Sequence, residues 1–183
     1  MLQWLRQKVL DWSRPASVEA ESLYRQIAEA ARNPDIYIKY QIEDSFDGRF
    51  DTVCLFTALV VHRLTKIDGE GKLRAQELTD TMFADMDLSL HEIGVSENKV
   101  GKKVKVMATA FVGRLQAYSK ALDDNDGEAL AAALIRNLYR DREMGGIESH
   151  LSKAVLKAAT RLKNQSDQSL LLGQIDLALD LDK

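Results

Sequence analysis

A chain of 183 residues with 45% hydrophobic and 29% charged residues has the balance of one compact domain and not of a disordered segment. A formal charge of −3 argues against a general nucleic-acid binder, which carries a basic excess, so no specific DNA partner is expected. The single cysteine, Cys54, rules out an internal disulfide, and no apolar run reaches the roughly 20 residues that a membrane span requires.

Met1 to Ser13 places Leu2, Leu5, Val9 and Trp12 on one helical face, with Arg6 and Lys8 beside it, and Arg14-Pro15 ends the segment. Residues 1–14 therefore read as an amphipathic arm ahead of a single domain over 15–183. Two uses fit the arm: docking on the protein's own core (or fraying), and a membrane-surface contact through Trp4, Trp12 and the cations. The segment lacks the apolar run and cleavage site of a secretory signal.

Only Pro15 and Pro34 interrupt the chain, and beyond Pro34 the apolar positions recur at helical spacing. Glu19 to Arg32 reads as a helix ended by Asn33-Pro34. Asp35 to Gln41 is an aromatic link, extended or a short helix. Ser45 to Asp51 (SFDGRFD) supplies a turn at Asp47-Gly48 and acidic groups at the next helix's start. Thr52 to Lys66 is apolar nearly all round and is expected to be the central buried helix.

Leu73 to Ile93 is a long helix stopped by Gly94. In Val100 to Leu122 the positions Val100, Val104, Met107, Phe111, Leu115, Tyr118 and Leu122 step by three and four, the seam of a helix packed lengthwise on its neighbours. Glu128 to Arg140, His150 to Lys163 and Gln168 to Asp180 complete about eight helices, counting the arm. The fold class is all-α, a single-domain irregular helical bundle.

Catalytic chemistry is not visible. His91 lies four residues after Asp87 on one helix face, but no second ligand pair exists elsewhere, so a helix-end ion pair is the better reading. His62 reads as a satisfied core histidine near a helix end. The Asp123-Asp124-Asn125-Asp126-Gly127 loop fails as a calcium site, because Leu122 and Ala133 fall on ligand positions, and it reads as a helix-terminating and N-capping loop. Cys54 has no charged neighbour to stabilise a thiolate. No catalytic residue, metal ligand or cofactor site is expected.

One feature resists a purely structural reading. Lys99, Lys102, Lys103 and Lys105 open the helix that runs to Leu122, opposite its apolar seam. Cations at a helix N-terminus face the positive end of the dipole and cost roughly 0.3–1 kcal/mol each when exposed. Four of them in a negative chain point to an anionic partner surface over a merely solvated face. Arg114, on the same helix, is grouped with them as the expected partner-binding set.

At Ser45 to Asp51 (SFDGRFD), Met82 to Val95 (MFADMDLSLHEIGV) and Val100 to Tyr118 (VGKKVKVMATAFVGRLQAY), the chain resembles the ubiquinol–cytochrome c chaperone family. The resemblance runs from about Ser22 to Tyr139, including Leu23-Tyr24 and Arg136-Asn137-Leu138-Tyr139. Two positions depart from the family's pattern: Val112 stands where an aromatic residue is expected, and Leu88 where a basic one is. The resemblance implies a non-catalytic chaperone for assembly of respiratory complex III. Its implied partners are newly made cytochrome b as client, a small partner protein, and the ribosomal exit region or an anionic membrane surface. Because family sequence follows Met1 almost directly, a bacterial origin is expected, with the protein in the cytoplasm or peripheral at the inner face of the cytoplasmic membrane (the mitochondrial matrix side for a eukaryotic member). The competing readings are a membrane-surface or scaffold protein of another pathway, and an enzyme or haem handler using His62 or His91.

Overall fold

The computed structural model describes residues 16–179, so the arm expected over 1–14 lies outside the described residues. Among those described, eight helices run in the order α1 (Val18–Ala31), α2 (Pro34–Lys39), α3 (Phe46–Leu64), α4 (Gly71–Glu92), α5 (Glu97–Asp123), α6 (Gly127–Asn137), α7 (Ile147–Asn164) and α8 (Asp167–Leu171). The all-α bundle expected from periodicity is the architecture observed. The aromatic link after Pro34 resolves into α2, with Pro34 at the helix start, where its missing N–H costs nothing.

Short polar side chains set the starts. Ser17, Asn33, Ser45, Asp126 and Ser166 each accept a backbone N–H from the first turn of the helix they precede, which satisfies donors that have no intrahelical partner. Asp126 takes two, from Glu128 at 3.0 Å and Ala129 at 2.9 Å. The acidic loop before α6 is thus the capping loop that its composition indicated.

α3 is the axle. It packs on α1, α4, α5 and α7, and from Phe50 to Val61 every residue is buried. Its buried Thr52 returns its hydroxyl to the Gly48 carbonyl at 2.8 Å, a local bond that hides the polar group inside its own helix. The seam of α5 lies against this axle: Val100, Val104, Phe111, Leu115 and Tyr118 are buried, and Met107 and Leu122 pack at its margin. Phe83 of α4 meets Phe111 of α5 edge to face, with ring centroids 5.8 Å apart.

Several boundaries differ from the sequence reading, and two of them change the architecture. α3 starts at Phe46, so Asp47-Gly48 is its first turn and not a separate turn before it. Gly48 is there for space: a Cβ on it would lie 1.9 Å from the Glu43 carbonyl oxygen. At the other end, the helix expected over Gln168 to Asp180 stops at Leu171, because Gly173 turns the chain at φ +79°. Ser22 Oγ and Gln26 Nε2 donate to the Gly173 carbonyl at 2.9 and 2.7 Å. The Ile175 amide donates back to Gln26 Oε1 at 3.3 Å. Residues 174–179 then cross α1 as a strap that buries Leu177 and Leu179.

Candidate functional site

Two charged regions stand out, and both draw on the segments that carry the family resemblance. The first is the outer face of the α4–α5 hairpin. A four-residue connection, Ile93 to Ser96, makes α4 and α5 antiparallel neighbours. Counting back from the Phe83–Phe111 contact in that antiparallel register brings Leu88 level with Val106. Each lies opposite its helix's buried stripe. Leu88 is 62% exposed and Val106 68%, and Ile93, at the hairpin tip, is 57% exposed.

Lys99, Lys102, Lys103 and Lys105 are all exposed on this hairpin. Among the described residues none of the four makes an ion pair. The helix dipole acts on fewer of these lysines than their sequence positions imply. α5 begins at Glu97, three residues earlier than its apolar seam implied, so only Lys99 falls in the first turn, where the dipole is felt. What remains for the others is mutual repulsion at three- and four-residue spacing, Lys99 with Lys102 and Lys103, and Lys102 with Lys105. The Ser96 side chain makes no capping bond, so this helix start is not built for local stability.

Arg114 does not join the lysines. It is nine residues beyond Lys105, about 14 Å along the helix, and it turns inward. Its Nη2 lies 2.6 Å from Asp51 Oδ1, with side-chain exposures of 14% and 5%, and its guanidinium stacks over the Phe50 ring at 5.5 Å. Arg140 closes the group, 3.2 Å from Asp47 and 3.7 Å from Asp51. Arg140 and Asp141 both take positive φ, 53° and 62°, a conformation that costs free energy outside glycine. Burial pushes the Asp51 carboxyl up to about 6, although Arg114 and Arg140 pull it down. This junction was not foreseen. Its one signal in the sequence was an acidic and a basic residue, Asp51 and Arg114, each at the edge of an otherwise apolar helix face.

Other polar groups in the resembling segments also fasten helices. The Tyr24 hydroxyl donates to Asp85 at 2.6 Å, tying α1 to α4. Burial first, and then this bond to a carboxylate, raise the Tyr24 phenol. The Tyr139 hydroxyl donates to the Tyr40 carbonyl at 2.7 Å. Val112, the position where an aromatic was expected, is buried.

The histidines stand as read. His91 lies 3.5 Å from Asp87 on one turn of α4. His62 is nearly enclosed, 3.5 Å from Asp123, and burial lowers its imidazole against the pull of that carboxylate. It borders a cleft of about 540 Å³ with Arg63, Lys66 and Lys163, where Arg63 is paired with Asp167 and Lys66 with Asp123. Burial pushes the Cys54 thiol up, away from the reactive thiolate. Among the described residues no three His, Cys, Asp or Glu side chains are grouped to hold a metal, and no helix is long and apolar enough to cross a membrane.

The charges of the Asp51 junction are spent on the protein's own helices, while the α4–α5 hairpin offers four unpaired lysines beside bare aliphatics, the mark of a helical bundle with a surface suited to protein binding. The family follows from direct comparison. The model of the ubiquinol-cytochrome C chaperone family matches residues 39–178, and the chain belongs to that family. Among solved structures it is similar to the Cbp3 homolog from Brucella abortus, with a TM-score of 0.81 and 35% sequence identity over 100% of this chain and 98% of that one. No curated protein sequence matches it. The protein is a chaperone-family assembly factor and not an enzyme.

Proposed function

We propose that the protein assists assembly of ubiquinol–cytochrome c reductase, respiratory complex III, by holding newly made cytochrome b, and that the α4–α5 hairpin is the surface it uses. Family membership supports the pathway. The observation that carries the surface is the company of four unpaired lysines with exposed Leu88, Ile93 and Val106 on one hairpin. Apolar side chains take the hydrophobic face of a helical client, and the cations select an anionic surface beside it. That surface belongs to the client, a small partner protein, the ribosomal exit region or anionic lipid. The inner face of the cytoplasmic membrane, where cytochrome b is inserted, is the expected place of work.

Affinity purification of the tagged protein from its native membranes tests the reading directly. Cytochrome b is expected to co-purify, and deletion of the gene is expected to lower both assembled complex III and spectral cytochrome b. Unchanged complex III and normal cytochrome b in the deletion strain would sink it and leave a membrane-surface or scaffold role in another pathway.

A further inference from the structure

The opposite end of the molecule carries a second exposed apolar group that client binding does not use. Val18 is 78% exposed, Leu73 56% and Leu172 57%, and they gather where α1 begins. Arg74, next to Leu73, reaches Ser17 and pairs with Glu19 at 3.2 Å. Gly173, next to Leu172, lies so close that a Cβ on it would be 2.7 Å from the Glu19 carbonyl oxygen. Val18 stands between these two contacts. Three large aliphatics left bare at one end of a small bundle expose surface that is normally covered.

We propose that residues 1–14 of the same chain are the cover, docking back across the starts of α1 and α4 over Val18, Leu73 and Leu172. The described chain begins at Ala16, one residue before the Ser17 contacts, so the arm is tethered at the edge of this patch. Fourteen residues reach at most about 50 Å even fully extended, which keeps the arm at high effective concentration there. Its apolar spacing, Leu2, Leu5, Val9 and Trp12, supplies a stripe of the kind that lies into an apolar surface. Charge also matches. The arm carries Arg6, Lys8 and Arg14 against Asp11, whereas the receiving end exposes Glu21, Asp68 and Glu70 beside Lys72, and Arg74 is already occupied by Glu19 and Glu77. That acidic rim attracts the arm and repels an anionic lipid surface. The contact is independent of client binding at the α4–α5 hairpin.

The sequence supplies its own reporter, since the only two tryptophans, Trp4 and Trp12, are in the arm. In the 183-residue chain, tryptophan emission is expected to be blue-shifted and weakly quenched by acrylamide. Leu73→Glu combined with Leu172→Glu should red-shift it and raise the quenching constant several-fold, with helical circular dichroism unchanged because both positions are exposed. Ile38→Glu, at an equally exposed site beyond the far end of α1, should leave the emission as it was. Emission of a fully exposed indole in the wild type, or emission indifferent to the double change, overturns the proposal. A blue shift that is lost on dilution, with the mass of a dimer by light scattering, assigns the patch to a second copy and overturns it as well. So does a blue shift that arises only on adding vesicles of equal parts phosphatidylcholine and phosphatidylglycerol.

Discussion

The α4–α5 hairpin and the Asp51 junction are both rich in charge, and both fall in segments that resemble the family, yet they do opposite work. At the junction, Arg114 and Arg140 converge on a carboxylate that is 5% exposed, and each charge exists for another charge of the same chain. On the hairpin, Lys99, Lys102, Lys103 and Lys105 face outward with no partner among the described residues. The same α5 helix carries both kinds of cation, about two and a half turns apart. A basic residue in this bundle is thus not informative by type; what its opposite number is, and on which side of the seam it stands, decides whether it holds the fold or meets a partner.

The difference is sharpest if Arg114 is removed. Arg114→Met leaves Asp51 buried with only the longer Arg140 contact, and is expected to cost about 3 kcal/mol in a denaturant melt, because the buried carboxylate loses its nearer partner. Changing both partners, Asp51→Leu with Arg114→Met, should cost clearly less than the single change. A single variant that melts like wild type would move Arg114 out of the structural class and back among the partner-binding residues. Phe111→Ala provides the apolar benchmark on the same helix: its ring is fully buried against Phe83, and a loss of roughly 3–5 kcal/mol is expected.

Next in size is a pH effect confined to the junction. Burial holds the Asp51 carboxyl at about 6 in the folded state, above its ordinary value of 3.8. Between those values the folded chain binds more protons than the unfolded one, so this group makes stability fall as pH rises from about 4 to 6, by up to about 3 kcal/mol. Asp51→Asn should remove that slope. Urea melts at intervals across this window check it, and an identical slope in wild type and variant would show that Asp51 ionises as if exposed.

How much of this was readable in advance follows from what a one-dimensional pattern can carry. The α5 seam was legible because its three- and four-residue steps report one buried stripe, and the all-apolar run in α3 reported an axle for the same reason. The start of α3 was not, because Gly48 looks like a turn glycine while its actual constraint is a carbonyl 1.9 Å from the missing Cβ. The C-terminal strap was misread as helix. Ile175, Leu177 and Leu179 in fact alternate with exposed Gln174, Asp176 and Ala178, a period of two that marks extended chain packed on one side. For the site, the lysines were visible as unpaired charge, whereas the inward turn of Arg114 was not. Its partner Asp51 is 63 residues away, and no local spacing announces a pair closed only by folding.

The smallest expected change in stability belongs to the hairpin, and it is paired with the largest expected change in function. Replacing Lys99, Lys102, Lys103 and Lys105 together by glutamine preserves length, polarity and helix propensity along the exposed start of α5. Only Lys99 faces the helix dipole, so relief of that term and of lysine–lysine repulsion should raise stability by a few tenths of a kcal/mol at most. Association with ribosomes, membranes or the client should fall, and wild-type association should weaken as salt rises, as exposed charges require. Glutamine at Leu88 and Val106 then separates the two halves of the surface, because loss of binding there would lack the salt dependence. A lysine variant that melts normally, binds as before and supports complex III would reduce the hairpin to a solvated face. The contrast with the Asp51 junction would then be one of pairing alone, with no partner behind it.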